Sequence, residues 1–203
     1  MTMLRRRISE LQVATMLLTR FPAGRIAGEV PELKEVGWAY PVVGVAIGAV
    51  GGAVHACLTW LGASGFVSGI GAILTLALVT GALHFDGLAD FSDGVGGGKD
   101  RAHCLEIMKD SRIGAYGVVA LVLVVGLWVG ALELFANGAA VGLFILMAVY
   151  SRVAILAVQE LLPTARSDGM GAQVAGGQWG ARFSAVLALI LGLAWFGQSA
   201  VWA

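Results

Sequence analysis

Carboxylates are concentrated in one short stretch of the sequence, directly after an apolar run. Asp86, Asp90 and Asp93 follow one another at intervals of four and three residues, which places all three on one face of a helix. Like charges at this spacing destabilise a helix, and a bound divalent cation removes the conflict. Closely spaced oxygen ligands are typical of Mg²⁺ or Mn²⁺ rather than of zinc. The pattern therefore predicts a metal site, with acids that only solvate a helix end as the alternative.

A second acidic pair follows farther along the chain. Glu106 and Asp110 are again four residues apart and are predicted to begin or precede the next apolar helix. Two acidic helix ends that face each other at a membrane surface can hold one or two metal ions over a diphosphate. His84 directly precedes the first cluster and is a candidate ligand or proton carrier. We therefore predict catalytic roles for Glu106, Asp110 and His84.

Basic side chains accompany these acids. Lys109 and Arg112 flank Asp110 and are predicted to bind phosphate, with membrane anchoring as the alternative. Arg152 lies next to Ser151 inside an apolar run, where an arginine is costly and is either functional or paired with a carboxylate of another helix. The predicted substrate-binding residues are Lys109, Ser111, Arg112 and Arg152.

The glycine-rich segment 94–99 invites comparison with a phosphate-binding loop. The pattern G-x-x-x-x-G-K-[ST] requires glycine where this chain has Asp93, and Ser or Thr where it has Asp100. We therefore interpret the segment as a flexible linker in preference to a phosphate cradle.

The chain as a whole is too apolar for a soluble enzyme. Of its 203 residues, 58% are hydrophobic and 13% are charged, whereas soluble domains carry about 25% charged residues. The formal net charge is zero, which gives no indication of a nucleic-acid partner. Segments of about 20 apolar residues cross a bilayer as helices, and the lack of alternation favours helices over membrane strands. Five segments qualify: 37–61, 66–83, 114–135, 139–162 and 183–203.

We predict an all-α, polytopic membrane bundle of about five transmembrane helices that forms one membrane-embedded domain over residues 1–203. The second span is short and could gain its last turn from residues 84 and 85. A short amphipathic helix is expected to lie in the membrane interface ahead of the first span. Its apolar face comprises Ile8, Leu11, Ala14, Thr15 and Leu18.

The basic residues indicate how the chain is oriented. The N-terminal arm, the loop 86–113 and the segment 163–182 carry Lys and Arg, whereas the alternate loops do not. The positive-inside rule therefore places the N-terminus and the acidic loop in the cytoplasm.

Glycines recur every four residues in several predicted spans. Small residues at this spacing let helix backbones approach closely, so we predict helix-packing seams. The glycines concerned are Gly44, Gly48 and Gly52, the pair Gly126 and Gly130, and the pair Gly138 and Gly142.

Several blocks of the sequence together resemble one known family. They are Thr-Arg-Phe-Pro at 19–22, Tyr-Pro-Val-Val-Gly at 40–44, the acidic stretches 84–93 and 105–117, Tyr-Ser-Arg at 150–152, and the segment 163–171. In these blocks the chain resembles cobalamin-5′-phosphate synthase, also called adenosylcobinamide-GDP ribazoletransferase. The resemblance covers about residues 18 to 172, and the run 84–117 is its most specific part.

The resemblance implies a Mg²⁺-dependent enzyme of the bacterial inner membrane. It would join adenosylcobinamide-GDP to α-ribazole or α-ribazole 5′-phosphate and release GMP late in cobalamin biosynthesis. The family motif falls on Asp86, Asp90, Asp93, Asp110 and Arg112. We expect membrane lipid and the two substrates as partners, and no nucleic acid; a homo-oligomer is compatible with the sequence. The family's further span and Gly-Gly-x-Thr-Gly-Asp tail have no counterpart here, so a shortened or divergent member is expected.

Two other functions fit part of the pattern. CDP-alcohol phosphotransferases of phospholipid synthesis also combine an acidic pair, an Asp-Gly and a later acidic pair, but the Ala-Arg that follows their Asp-Gly is absent. A cation-binding transporter subunit is the other alternative, although transport sites usually lie on broken helices near the bilayer midplane.

Overall fold

The computed structural model describes residues 3–133, 140–174, 182, 184–186 and 188–192. Every regular element in this part of the chain is a helix, which confirms the predicted all-α class. The α-helices are α1 (Met3–Leu18), α2 (Tyr40–Trp60), α3 (Gly65–Thr80), α4 (Leu83–Gly97), α5 (Arg101–Ile107), α6 (Ala115–Glu133), α7 (Ala140–Leu161) and α8 (Met170–Val174). Two 3₁₀ turns, Leu33–Glu35 and Gly37–Ala39, lead into α2.

Three helical stretches correspond to predicted spans. Gly37–Trp60, Ala115–Glu133 and Ala140–Leu161 are each long and apolar enough to cross a membrane. The predicted fifth span, 183–203, lies largely outside the described residues. The count of five is not confirmed, because the described residues contain three such helices, or four if α3 and α4 together form one span.

The second predicted span is broken. The sequence predicted one helix over 66–83 with a last turn from residues 84 and 85, but α3 and α4 are separated by a bend of 93°. Gly81 (φ 63°) and Ala82 (φ 59°) adopt the left-handed conformation at this bend. Glycine commonly ends a helix in this way because it has no Cβ. The extension of the span was therefore wrong, and the first acidic cluster lies on a separate helix.

Contacts between residues divide the chain into two compact units. The terminal unit comprises Met1–Ala53 and Val141–Ala203, and the central unit comprises Val54–Ala140. The first contains α1, most of α2, α7 and α8; the second contains the end of α2 and helices α3 to α6. The expectation of a single transferase domain stays a prediction.

In the terminal unit, a buried carboxylate fixes α1 to the start of the first span. Glu10 is 2% exposed and accepts hydrogen bonds from Arg6 Nε (3.3 Å), Arg7 Nη1 (2.7 Å) and the indole nitrogen of Trp38 (2.7 Å). The guanidinium of Arg7 also lies over the Trp38 ring, 5.5 Å from its centre. A buried carboxylate is stable here because charged donors surround it.

The predicted amphipathic helix is confirmed as α1, but the environment of its apolar face was partly wrong. Ala14 and Leu18 are buried inside the terminal unit rather than turned to lipid. Ile8, from the same predicted face, is 50% exposed. The C-terminal end of this face therefore packs inside the terminal unit, whereas its N-terminal end is exposed.

The glycine seam of α2 is confirmed. A Cβ added at Gly44 would lie 2.9 Å from the carbonyl oxygen of Ala148. A Cβ at Gly48 would lie 2.5 Å from Ile145 Cα, and one at Gly52 would lie 2.6 Å from Val141 Cα. These distances are too short for any side chain, so the backbones of α2 and α7 touch along this face.

Replacing Gly48 by alanine is expected to destabilise the protein by about 1 to 3 kcal/mol, because the new methyl group meets backbone atoms that cannot move aside. The measurement is the free energy of unfolding in mild detergent. The matched control is Gly126→Ala on α6, where an added Cβ meets nothing within 4 Å. Alanine is favoured over glycine by about 1 kcal/mol inside a helix, so the control is expected to be neutral or more stable. Equal effects at both positions would contradict the seam.

The predicted glycine seam of α6 is not observed among the described residues. Gly126 and Gly130 were predicted to form a packing seam, but neither has an atom within 4 Å of an added Cβ among the described residues. In the pair Gly138 and Gly142, Gly138 lies outside those residues. In the central unit, α6 instead packs on α3 through Gly69, whose added Cβ would lie 3.5 Å from Val129.

Candidate functional site

The predicted stacking of three aspartates on one helix is confirmed. Asp86, Asp90 and Asp93 all lie on α4, and their spacing places them on one face. Their exposure falls along the helix: Asp86 is exposed, Asp90 is half-buried and Asp93 is only 8% exposed. The three carboxylates therefore occupy different environments and do not form one equivalent set.

Asp93 holds the first turn of α6. Its Oδ2 accepts a hydrogen bond from the backbone N–H of Gly114 (2.7 Å), and its Oδ1 accepts one from the N–H of Gly117 (2.8 Å). The first N–H groups of a helix have no partner within the helix, and a negative charge is favoured at that end. Asp93 thus acts as a capping residue supplied by another helix.

The two glycines make this contact possible. An added Cβ at Gly114 would collide with Asp93 Oδ1, and one at Gly117 would lie 2.5 Å from Asp93 Oδ2 and 3.0 Å from the carbonyl oxygen of Ala89. The backbone of α6 can approach α4 this closely only without side chains at these positions. This role of Asp93 was not predicted from the sequence, in which the glycine pair at 114 and 117 was the only sign of a close approach.

Helix α5 packs against the last turns of α4. A Cβ added at Gly94 would lie 2.6 Å from the Met108 side chain. A Cβ added at Gly98 would collide with Cys104 Sγ. Gly94 to Gly97 continue α4 as regular helix. The flexible-linker interpretation of this segment was therefore wrong, because its glycines serve close packing. Glu106 lies on α5 and is exposed.

Asp110 and Arg112 form a local ion pair in the turn between α5 and α6. The guanidinium Nη2 lies 2.6 Å from Asp110 Oδ2, and the backbone N–H of Arg112 donates to Asp110 Oδ1 at 3.0 Å. Hydrogen bonds from Arg112 hold the pKa of Asp110 below its usual value. Because α5 ends at Ile107, Glu106 and Asp110 do not share a helix. Both precede α6, which begins at Ala115, as predicted.

The remaining candidates lie in three places. Lys109 and Ser111 are exposed in the same turn as Asp110. His84 is half-buried in the first turn of α4, next to Phe85, whose ring meets Trp128 of α6 edge to face at 6.2 Å. Arg152 is buried in α7 and belongs to the terminal unit.

The donor set on α4 fits a hard cation bound by two carboxylates. Asp86 and Asp90 are one turn apart, so their Cβ atoms are about 5–6 Å from each other. Proteins usually bind Mg²⁺ through one or two carboxylates, with waters and substrate phosphates as the other ligands. No group of three His, Cys, Asp or Glu side chains in ligand positions occurs in the described part of the chain. Asp93 stays a predicted third ligand, although each of its oxygens already accepts a backbone N–H of α6.

The apolar helices and the acidic face of α4 define an all-helical integral membrane protein with a carboxylate-rich candidate site on a helix bent away from its neighbour. Residues 10–203 match the family model described as cobalamin-5-phosphate synthase. The chain belongs to this family, and the resemblance stated from the sequence is confirmed.

Curated relatives agree with this membership. The chain is 44% identical over 191 residues to adenosylcobinamide-GDP ribazoletransferase of Azorhizobium caulinodans, covering 90% of this chain and 71% of the relative. It is 41% identical over 167 residues to the protein of that name from Bradyrhizobium diazoefficiens, and this match covers 81% of this chain and 64% of the relative. It is 46% identical over 126 residues to the protein of that name from Xanthobacter autotrophicus, and this match covers 61% of this chain and 47% of the relative. The matches thus span from about half to seven-tenths of these relatives. No solved structure matches the chain.

Proposed function

We propose that the chain transfers the adenosylcobinamide phosphate group from adenosylcobinamide-GDP to α-ribazole or α-ribazole 5′-phosphate. A ribose hydroxyl oxygen of the acceptor attacks the phosphorus nearest cobinamide, and a new P–O bond forms. The bond from that phosphorus to the bridging oxygen breaks, so GMP leaves with that oxygen. The hydroxyl proton passes to a carboxylate. Family membership and the names of the relatives support this reaction.

The observation that carries the proposal is the acidic face of α4. Asp86 is exposed there, one turn from Asp90, and this pair is proposed to hold Mg²⁺. The metal, when bound, supplies positive charge that offsets the charge of the diphosphate. Asp93 is proposed to position the pair by fixing α4 against α6.

The turn after α5 is proposed to bind the diphosphate. Lys109, Ser111 and Arg112 are all exposed there and offer cationic and hydroxyl donors to phosphate oxygens. Arg112 keeps Asp110 ionised through the lowered pKa of that carboxyl group, which makes Asp110 a weak base. A general base works best with a pKa near the operating pH, so Asp110 is a poor proton acceptor. Glu106, which is exposed on α5, is proposed for that role instead. His84 keeps its predicted role as a ligand or proton carrier.

The proposed location is the bacterial inner membrane, with the N-terminus and the acidic helices on the cytoplasmic side. The support is the distribution of Lys and Arg along the chain. A cytoplasmic site suits a reaction between water-soluble nucleotide derivatives.

The test is GMP release by the purified chain in lipid nanodiscs given adenosylcobinamide-GDP, α-ribazole or its 5′-phosphate, and Mg²⁺. We expect GMP and the corresponding cobalamin product in equal amounts, and loss of both with EDTA followed by recovery with excess Mg²⁺, since carboxylates hold Mg²⁺ reversibly. A parallel reaction supplies a CDP-activated lipid donor and an alcohol, as the phospholipid alternative requires.

CMP release in that parallel reaction without GMP release in the first would replace the proposal by a CDP-alcohol phosphotransferase. Cation flux into liposomes without either nucleotide product would replace it by transport. GMP release that EDTA leaves unchanged would contradict the metal on α4 but not the transfer.

A further inference from the structure

The first six residues of α1 are exposed, although several of them are large and apolar. Met3 is 82% exposed, Leu4 70% and Ile8 50%. Leu4 and Ile8 are one turn apart, so their side chains are neighbours on the helix surface. Exposed apolar surface is unfavourable in water, and together with basic residues it is typical of a helix that lies on a membrane.

Three consecutive arginines share this exposed end, and carboxylates of the terminal unit pair with two of them. Guanidinium nitrogens of Arg6 lie 3.3 Å from a Glu10 oxygen and 2.5 Å from a Glu35 oxygen. Arg7 Nη1 lies 2.7 Å from Glu10 Oε2. Arg5 is exposed and forms no ion pair with a carboxylate in the part of the chain that the structure describes. Three arginines thus face two carboxylates, and the uncompensated positive charge is that of Arg5.

Glu10 also fixes this end of α1 close to the boundary of the membrane. It accepts a hydrogen bond of 2.7 Å from the indole nitrogen of Trp38, which lies in the first turn of the candidate span Gly37–Trp60. Tryptophan in membrane proteins is enriched at the level of the lipid headgroups. Arg5 precedes Glu10 by about 7.5 Å along the helix, which is about the depth of one headgroup layer. The exposed end of α1 therefore lies within reach of the headgroups.

We propose that the exposed end of α1 is a binding site for an anionic phospholipid. Leu4 and Ile8 insert among the lipid chains, and Arg5 pairs with the headgroup phosphate. Arg5 is three residues before Ile8, so the charge lies beside the apolar pair on one side of the helix. The basic N-terminal arm is proposed to face the cytoplasm, and the cytoplasmic leaflet carries a negative surface potential.

A membrane lipid fits this end of α1 better than a soluble protein does. The hydrogen bond from Trp38 to Glu10 holds α1 at the start of a membrane span, where lipid is the surrounding solvent. The inference does not rest on the proposed transfer reaction. All of the residues that carry it belong to the terminal unit, and none of them is assigned a role in that reaction.

The test measures how tightly the full chain in detergent micelles binds phosphatidylglycerol and phosphatidylcholine, by native mass spectrometry of the lipid-bound forms. The wild type is expected to bind phosphatidylglycerol at least about fivefold more tightly, which is the contribution of one basic residue at an anionic lipid surface. Arg5→Gln is expected to lose that preference and to keep the affinity for phosphatidylcholine. Added salt is expected to reduce the preference of the wild type, because salt screens exposed charges.

Arg25→Gln is the matched control, because it removes an exposed arginine of the same unit outside α1 and is expected to keep the preference. Leu4→Gln tests the apolar contact and is expected to weaken the binding of both lipids at least about tenfold, because one leucine is no longer buried in lipid. The thermal unfolding temperature of the three variants without added phospholipid is expected to equal that of the wild type, since each replaced side chain is exposed.

Equal affinities of the wild type for the two lipids would overturn the proposal, as would an Arg5→Gln variant that keeps the preference. An equal loss in Arg25→Gln would also overturn it, because the preference would then follow net charge and not this site. If Leu4→Gln bound both lipids as tightly as the wild type, α1 would not insert, and a soluble partner would be the better occupant. No turnover is measured, so failure here leaves the transfer reaction untouched.

Discussion

Asp86→Asn is expected to lower the rate of Mg²⁺-dependent GMP release by at least about 100-fold, because it removes one of the two carboxylates proposed to hold the metal. The side chain is exposed, and its neutralisation relieves repulsion from Asp90 one turn away. The free energy of unfolding is therefore expected to stay within about 0.5 kcal/mol of the wild type. The measurement is the rate as a function of Mg²⁺ concentration, in which the half-saturating concentration should rise.

The control for this variant is Glu29→Gln, which removes an exposed carboxylate of the terminal unit and is expected to keep the full rate. If Asp86→Asn turned over as fast as Glu29→Gln at limiting Mg²⁺, the metal would not lie on α4.

The same chemical change at Asp93, two positions farther along the acidic face, is expected to lower stability instead. Asp93→Asn replaces one accepting oxygen by an amide group that points its own hydrogens at a backbone N–H of α6. The loss is expected to be about 1.5 to 3 kcal/mol, the range for a hydrogen bond to a charged partner in a buried site. Chemical denaturation in mild detergent measures it, with Asp86→Asn as the matched variant on the same helix.

Gly117→Ala tests the same contact between α4 and α6 by a change on α6. Its methyl group would lie 2.5 Å from Asp93 Oδ2, so it is expected to destabilise the protein by a similar amount, whereas Gly126→Ala on the same helix is not. Combining Asp93→Asn with Gly117→Ala should cost less than the sum of the two, because both disrupt one contact. Additive losses would show that the two substitutions do not disrupt one shared contact.

Local periodicity was sufficient to predict the acidic face. The spacing of Asp86, Asp90 and Asp93 places them on one side of any helix, whatever surrounds it. The apolar lengths likewise predicted the spans that became α2, α6 and α7, since the bilayer sets that length. The seam of α2 followed from glycine spacing alone.

Features that depend on distant partners could not be predicted in this way. The bend between α3 and α4 includes a left-handed residue, Ala82, which no local preference indicates. The cap of α6 comes from Asp93, 21 residues before Gly114, whereas capping patterns in sequence involve neighbours only. For Gly126 and Gly130, the spacing matched a seam, but no other helix in the described residues lies against them.

The terminal unit is discontinuous in sequence, and this sets an order of events during synthesis. The glycine face of α2 meets α7, whose residues leave the ribosome roughly a hundred residues later, about 5 to 20 s at ordinary elongation rates. The whole central unit is translated within that interval. Until α7 enters the membrane, lipid or the insertion machinery must cover the narrow glycine groove of α2. Translation speed across the central unit therefore sets how long the nascent chain exposes this groove to other helices.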